Sequence, residues 1–153
     1  MSKYTFLFVL LALFSSCKDM DKNTEAEDQM KDEPTLEGAW ELVSFLNYDS
    51  DGVADTINST NDYKQMKMYS KSKIMWSRLR TGDSLDWFGV GDYTFKDGVL
   101  TEVLDYGSKA MNNRIKDNSR FQFEIEITDS TFTQIEVDSL GNRIYAENYK
   151  RIE

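Results

Sequence analysis

The sequence predicts an all-β protein, an antiparallel up-and-down barrel of eight strands, and three observations carry that reading. Arg120 to Thr128 alternates Phe121, Phe123, Ile125 and Ile127 with Gln122, Glu124, Glu126 and Thr128, the two-residue period of a strand with one apolar and one wet face. A wet face favours antiparallel pairing, because parallel sheets are covered on both sides and lose the alternation. Eight such segments succeed one another between Gly38 and Ile152, joined mostly by short turns, with no long amphipathic helix between them. Closing the meander removes its exposed edges. A barrel of eight strands is wide enough to hold one small ligand.

The elements before the barrel read differently. Lys3 gives a positive start, Thr5 to Phe14 is apolar apart from Thr5, and Ser15-Ser16-Cys17 ends the run with small residues and the single cysteine. The apolar run is about half of the roughly 20 residues a membrane-spanning helix needs, so residues 1–16 are expected to be a signal peptide. Phe14-Ser15-Ser16-Cys17 resembles a bacterial lipobox, which implies cleavage before Cys17 and acylation of its thiol. Two or more acyl chains anchor stably, so the expectation is an outer-membrane lipoprotein of the cell envelope that touches the membrane only through its lipid.

Residues 18–33 hold seven acids and three lysines, and no aliphatic or aromatic side chain larger than Met20 and Met30. Such a segment cannot bury enough surface to offset the entropy of ordering it and reads as a disordered tether. Lys18-Asp19 and the acids after it also resemble the export signal of surface lipoproteins in the Bacteroidota. Pro34, the single proline, marks the start of one domain, residues 34–153. That domain carries 20 acidic and 14 basic residues, a net charge of −6. The balance argues against a nucleic-acid partner, which calls for a basic face.

Within the domain, Gly38 to Tyr48 reads as a long first strand, bent where its apolar residues change face between Leu42 and Phe45. Asp49-Ser50-Asp51-Gly52 supplies turn chemistry, and Val53 to Asp62 is small and polar and reads as a loop. Gln65–Ser70 and Lys73–Leu79 follow as strands about a turn at Lys71-Ser72. Trp87–Lys96 contains Gly89 and Gly91, marks of a bulge or sharp coil. Asp97-Gly98 is a strong hairpin signal leading into Val99–Tyr106. Residues 107–119 could be loop or short helix. After the Arg120–Thr128 strand, Asp129-Ser130 turns into Thr131–Val137, and Leu140-Gly141-Asn142 into Arg143–Ile152.

Gly38-Ala39-Trp40 on the first strand, Gly91-Asp92-Tyr93 and Leu100-Thr101-Glu102-Val103-Leu104 in the middle, and Glu147-Asn148-Tyr149-Lys150-Arg151 at the end resemble the bacterial lipocalin-like domains of secreted lipoproteins. More distantly they are similar to the wider calycin group. The resemblance implies an eight-stranded lipocalin-like barrel in which the tryptophan of a Gly-x-Trp packs against an arginine on the last strand, here Trp40 and Arg151. The residues agree: Tyr145, Glu147, Tyr149 and Arg151 share a strand face, a guanidinium on an indole contributes roughly 0.5 to 2 kcal/mol, and Glu147 could accept its hydrogen bonds. Trp40, Glu147, Tyr149 and Arg151 are therefore assigned to barrel closure.

Trp76, Arg78, Tyr93, Phe95, Glu102, Leu104, Tyr106, Phe121, Phe123 and Ile125 fall on strand faces that, if they converge, form an aromatic cup with a few polar groups, the make-up of a small-molecule site. Arg78 and Glu102 stand out because charge on an apolar face is costly. The partner expected is a small hydrophobic or amphipathic molecule bound to a monomer. The alternative is a packed, ligand-free barrel serving as an accessory module of an envelope complex.

Other patterns carry less. Lys64, Lys67, Lys71, Lys73, Arg78 and Arg80 run without an intervening acid and suit either an anionic glycan or protection of a sheet edge. Asp49, Asp51 and Asp55 offer carboxylates to calcium but depart from an EF-hand, with Ala54 and Thr60 where Gly and Glu would stand, so no metal is expected. Asp55-Thr56-Ile57, Asp83-Ser84-Leu85, Asp129-Ser130-Thr131 and Asp138-Ser139-Leu140, each at an expected turn, resemble the Bacteroidota O-glycosylation triplet. With no histidine and one cysteine, nucleophilic triads and ordinary transition-metal sites have no basis. Glu102 with Glu147 could act as acid and base, but nothing in the spacing singles them out, and neither enzyme activity nor a cofactor is expected.

Overall fold

The computed structural model describes residues 34–52 and 54–153. The signal peptide, Cys17 and the tether expected over residues 1–33 lie outside the described residues. Nine strands and one helix follow in chain order: β1 (Gly38–Tyr48), β2 (Ala54–Asn58), β3 (Tyr63–Tyr69), β4 (Lys73–Arg80), β5 (Trp87–Lys96), β6 (Val99–Gly107), α1 (Lys109–Asp117), β7 (Arg120–Ile127), β8 (Thr131–Val137) and β9 (Arg143–Arg151). Each strand pairs antiparallel with its neighbours in the order β2-β1-β3-β4-β5-β6-β7-β8-β9, and β1 also pairs with β9. The pairing of β1 with β9 closes an eight-stranded barrel, to which β2 is an addition.

The ninth strand corrects the expected loop at 53–62. β1 pairs with β3 only from Gly38 to Glu41, so its second half would leave an open edge. β2 folds back through the Asp49–Gly52 turn to cover it, Ser44 opposite Asn58 and Tyr48 opposite Ala54. The bend foreseen in β1 is a bulge between Leu42 and Ser44, after which Phe45 rather than Ser44 faces inward opposite Glu147.

A second bulge, between Val90 and Gly91, lies at the glycines of β5, and both are needed there. A Cβ on Gly91 would strike the Val103 carbonyl oxygen, and one on Gly89 would sit 2.9 Å from the Trp76 ring. Asp97 and Gly98 form the hairpin turn with φ of 53° and 76°, the pair of positive values a type I′ turn requires.

Residues 109–117 resolve to helix. Ser108 caps it by accepting from the Met111 amide at 3.2 Å, Met111 is its buried anchor, and Arg114 and Lys116 occupy the last turn, where cations suit the helix dipole. The helix packs on β5 and β6. It therefore stands at the barrel end where β6 finishes and β7 begins.

One end of the lumen is solid. Leu36, Trp40, Leu42, Tyr69, Ile74, Leu100, Phe132 and Tyr149 form its buried core. Trp40 meets Phe132 edge-on at 4.8 Å between centroids, and Phe132 stacks on Tyr149 at 4.6 Å. Arg151 lies over Trp40 with its guanidinium 4.0 Å from the ring, while the Trp40 Nε1 donates to the Leu36 carbonyl at 2.8 Å. Arg151 donates to the backbone carbonyls of Asp129, Glu37 and Thr35. Glu147 is not its acceptor, because four residues back along the strand it faces the barrel's middle and is occupied there.

Candidate functional site

At the other end the side chains do not meet, and a cavity of about 340 Å³ opens between β3, β4, β5, β6, β7, β8, β9 and α1. Trp76, Trp87, Leu104, Met111, Phe121 and Phe123 provide an apolar wall, and Gln65, Lys67, Glu102, Gln134 and Glu147 line it with polar groups. Arg78 and Tyr145 also line it. Arg80, Arg114 and Glu136 come from the ends of β4, α1 and β8 and contribute to its mouth.

The polar floor consists of two ion pairs. Lys67 Nζ lies 2.9 Å from Glu102 Oε1, with side chains only 3% and 4% exposed. Gln134 Oε1 accepts from the same ammonium, and the Tyr69 hydroxyl donates to Glu102 at 3.0 Å. The second pair joins Arg78 to Glu147 at 2.8 Å. Gln65 bridges it, accepting from Arg78 and donating to Glu147, and the Tyr149 hydroxyl donates to Glu147 at 2.6 Å. Each buried charge thus faces an opposite one and at least one further polar group, the condition for keeping ions out of water.

This environment sets the titration of the tyrosines. Burial, reinforced by the Glu102 charge and hydrogen bond, pushes the Tyr69 hydroxyl well above its ordinary value. Burial and Glu147 do the same to Tyr149 and Tyr145. Desolvation opposes the charge of Arg78, but Glu147 and the surrounding tyrosines outweigh it and leave its pKa raised. The tyrosines therefore stay protonated and act as donors to the two carboxylates.

Of the cup residues, Trp76, Arg78, Glu102, Leu104, Phe121 and Phe123 line this cavity. Ile125 is buried in the solid core. Tyr93 and Phe95 lie toward the opposite end, along a groove with Pro34, Leu36 and Lys71, and Tyr93 donates to the Ser70 carbonyl at 2.7 Å. Tyr106 faces outward and is 56% exposed. The bulge between Val90 and Gly91 shifts the register, pairing Tyr106 with Val90, so the alternation that places Leu100, Glu102 and Leu104 inward does not extend to it. Glu102 and Glu147 do not form an acid–base pair with each other, since each is held by its own cation.

Several lining residues carried no functional reading in sequence, namely Gln65, Trp87, Met111, Arg114, Gln134, Glu136 and Tyr145, and Lys67 was legible only as part of the basic stretch. For β3 a signal existed. A turn centred on Lys71-Ser72 sets Tyr69 opposite Ile74, and two residues on it sets Lys67 opposite Trp76, which turns Lys67 and Gln65 inward and Met66 and Met68 outward. The basic stretch is accordingly divided: Lys67, Arg78 and Arg80 line the cavity, while Lys64, Lys71 and Lys73 are exposed.

The remaining motifs have local roles. Asp49 accepts from the Asp51 amide at 3.0 Å within its turn, and no cluster of metal-ligating side chains occurs among the described residues. Asp138 accepts from Leu140 and Asn142, and these bonds, led by the Asn142 side chain, hold its carboxyl below the usual range. Asp83, Asp129 and Asp138 start turns or loops, but Asp55-Thr56-Ile57 lies within strand β2 and not at a turn.

No protein-family model matches the sequence, and no curated protein matches it. Two solved structures do match in shape. A lipocalin-like protein from Bacteroides uniformis ATCC 8492 aligns with a TM-score of 0.51 at 15% identity, over 76% of this chain and 98% of that one. An uncharacterized protein from Bacteroides eggerthii DSM 20697 aligns with a TM-score of 0.51 at 16% identity, over 76% and 99%. At such identities the likeness concerns fold alone, and with the β1–β9 closure it identifies this chain's fold as a lipocalin-like antiparallel β-barrel.

Proposed function

We propose that this protein binds a small amphipathic molecule in the cavity at the open end of its barrel, and that it does so as a lipid-anchored protein of the cell envelope. The asymmetry of the lumen carries the reading. One end is packed solid around Trp40 and Phe132, whereas the other leaves about 340 Å³ with an aromatic wall and a charged floor, a volume within the range of ligand sites. One buried and one part-buried ion pair are a poor way to stabilise a barrel, because apolar residues of similar size do as well or better. Kept beside a cavity, they offer polar recognition to whatever enters it. The anchoring half rests on Phe14-Ser15-Ser16-Cys17 and the acidic segment after it.

A second reading has its own observation. Met66, Met68 and Met75 on the outer face of β3 and β4 are 40%, 42% and 49% exposed, an apolar surface suited to an accessory protein that docks on a partner. Native mass spectrometry of the purified protein, before and after denaturing extraction, separates the two. A reproducible extra mass lost on denaturation supports a ligand. A bare polypeptide mass, with no thermal shift across lipids, isoprenoids and glycans, favours the docking module. The side chains sharpen the test: Phe123→Ala at the cavity wall should abolish the shift at modest loss of stability, while Phe132→Ala in the solid end should cost about 3 to 5 kcal/mol.

A further inference from the structure

We infer that the ligand carries an anionic head group, a carboxylate or its equivalent, which it presents at the cavity mouth to Trp87 and Arg114 with its apolar body inside. The inference rests on reading the cavity as a ligand site. The floor offers no net charge to attract such a group, because Lys67 is matched by Glu102 and Arg78 by Glu147. The mouth differs. Arg114 forms no ion pair among the described residues, the half-exposed Arg80 has only a 3.4 Å contact to Asp83, and the one acid lining the mouth is Glu136. This corner is cationic on a domain whose net charge is −6.

The second observation is a donor without an acceptor. Trp87 Nε1 is the one fully buried side-chain polar atom lacking a hydrogen-bond partner among the described residues, and indole N–H groups removed from water nearly always find one. The indole lines the cavity, and the Arg114 guanidinium lies 5.8 Å from its ring centre. A small turn of the Trp87 ring, whose N–H is closed off from solvent here, would let an oxyanion at this corner take the indole N–H and the guanidinium fork together, partners that suit a carboxylate. Arg114 is held in place by the helix that bears it, capped at Ser108, anchored at Met111 and closed by the Asn118 amide on the Arg114 carbonyl.

Decanoate and decan-1-ol, which share a chain and differ in the charge of the head, test this by titration of the purified protein at pH 7. Decanoate should bind at least about tenfold more tightly than decan-1-ol, the difference that a charged hydrogen bond of about 1.4 kcal/mol makes. Arg114→Gln, on the exposed side of the helix, and Trp87→Phe, which keeps the ring, should each weaken decanoate far more than decan-1-ol and so erase most of that preference. Equal binding of both probes, or a preference that survives both substitutions, overturns the anionic subsite while leaving the ligand-binding reading intact. Binding of neither probe also overturns it, and a silent panel in the native-mass and thermal-shift experiment is what would remove the broader reading.

Discussion

Replacing Lys67 with methionine tests whether the barrel's polar floor is a low-dielectric interior or a wetted one. The change keeps a long unbranched side chain and removes the ammonium, so the 4%-exposed Glu102 loses its 2.9 Å partner and retains only the Tyr69 hydroxyl at 3.0 Å. Removing one member of a buried pair costs about 3 to 5 kcal/mol, most of it the uncompensated charge left behind. Domains of this size hold about 5 to 15 kcal/mol in total, so the loss is a large share. With an unfolding entropy of about 0.25 kcal/mol per kelvin for about 120 residues, Tm should fall by about 12 to 20 °C. Adding Glu102→Gln to the variant removes the orphan charge yet still accepts from Tyr69. The double variant should therefore recover at least about 2 kcal/mol, and urea unfolding of the four proteins at pH 7 with unchanged m-values gives the coupling energy. A Lys67→Met loss below about 1 kcal/mol, with coupling under about 0.5 kcal/mol, would refute the argument and show that solvent in the cavity screens the pair.

Three further outcomes follow from the same geometry. Tyr69 and Tyr149 have folded pKa values raised well above 10.0, so the unfolded chain releases their protons first, and stability present below pH 10 should be lost above it, by about 1.4 kcal/mol per pH unit for each tyrosine; Tyr149→Phe should lower the slope in urea titrations between pH 10 and 11.5 by about that single-tyrosine amount. Arg151→Ala removes the stack on Trp40 and the donors to Asp129, Glu37 and Thr35, and chemical denaturation should register about 2 to 4 kcal/mol, with Arg151→Lys recovering only part of it. Gly91→Ala would drive a methyl group into the Val103 carbonyl and to within 2.7 Å of Leu104 Cα, whereas a Cβ at Gly82 meets nothing within 4 Å; calorimetry should show about 3 kcal/mol lost for the first and less than about 0.5 kcal/mol for the second.

The barrel was readable where local chemistry decides. The alternation in β7, the Asp97-Gly98 turn and the glycines of β5 are short-range statements, and each stands in the fold. The site was readable in part, through charged residues on otherwise apolar faces: Arg78 and Glu102 both line the cavity. β3 was legible only as a strand, with no faces assigned, and it is chemically inside out, with methionines toward solvent and Gln65 and Lys67 within. Hydrophobicity alone assigns those faces the other way, and only the partner strand's register corrects it.

By itself, then, the sequence determined the strand periodicity, the turns and the all-β class, because these depend on neighbouring residues, while the pairing of Trp40 with Arg151 was implied by the family resemblance of motifs at the two ends of one strand ladder. The tertiary structure alone decided what closure does with them. Two bulges set which residues of β1 and β6 face inward and turned Tyr106 out. The open second half of β1 recruited β2. The pairing of Lys67 with Glu102, 35 positions apart, and of Arg78 with Glu147, 69 apart, came from strands brought together across the lumen. Buried charges find their partners through space, so no local pattern could have named those pairs or the cavity above them.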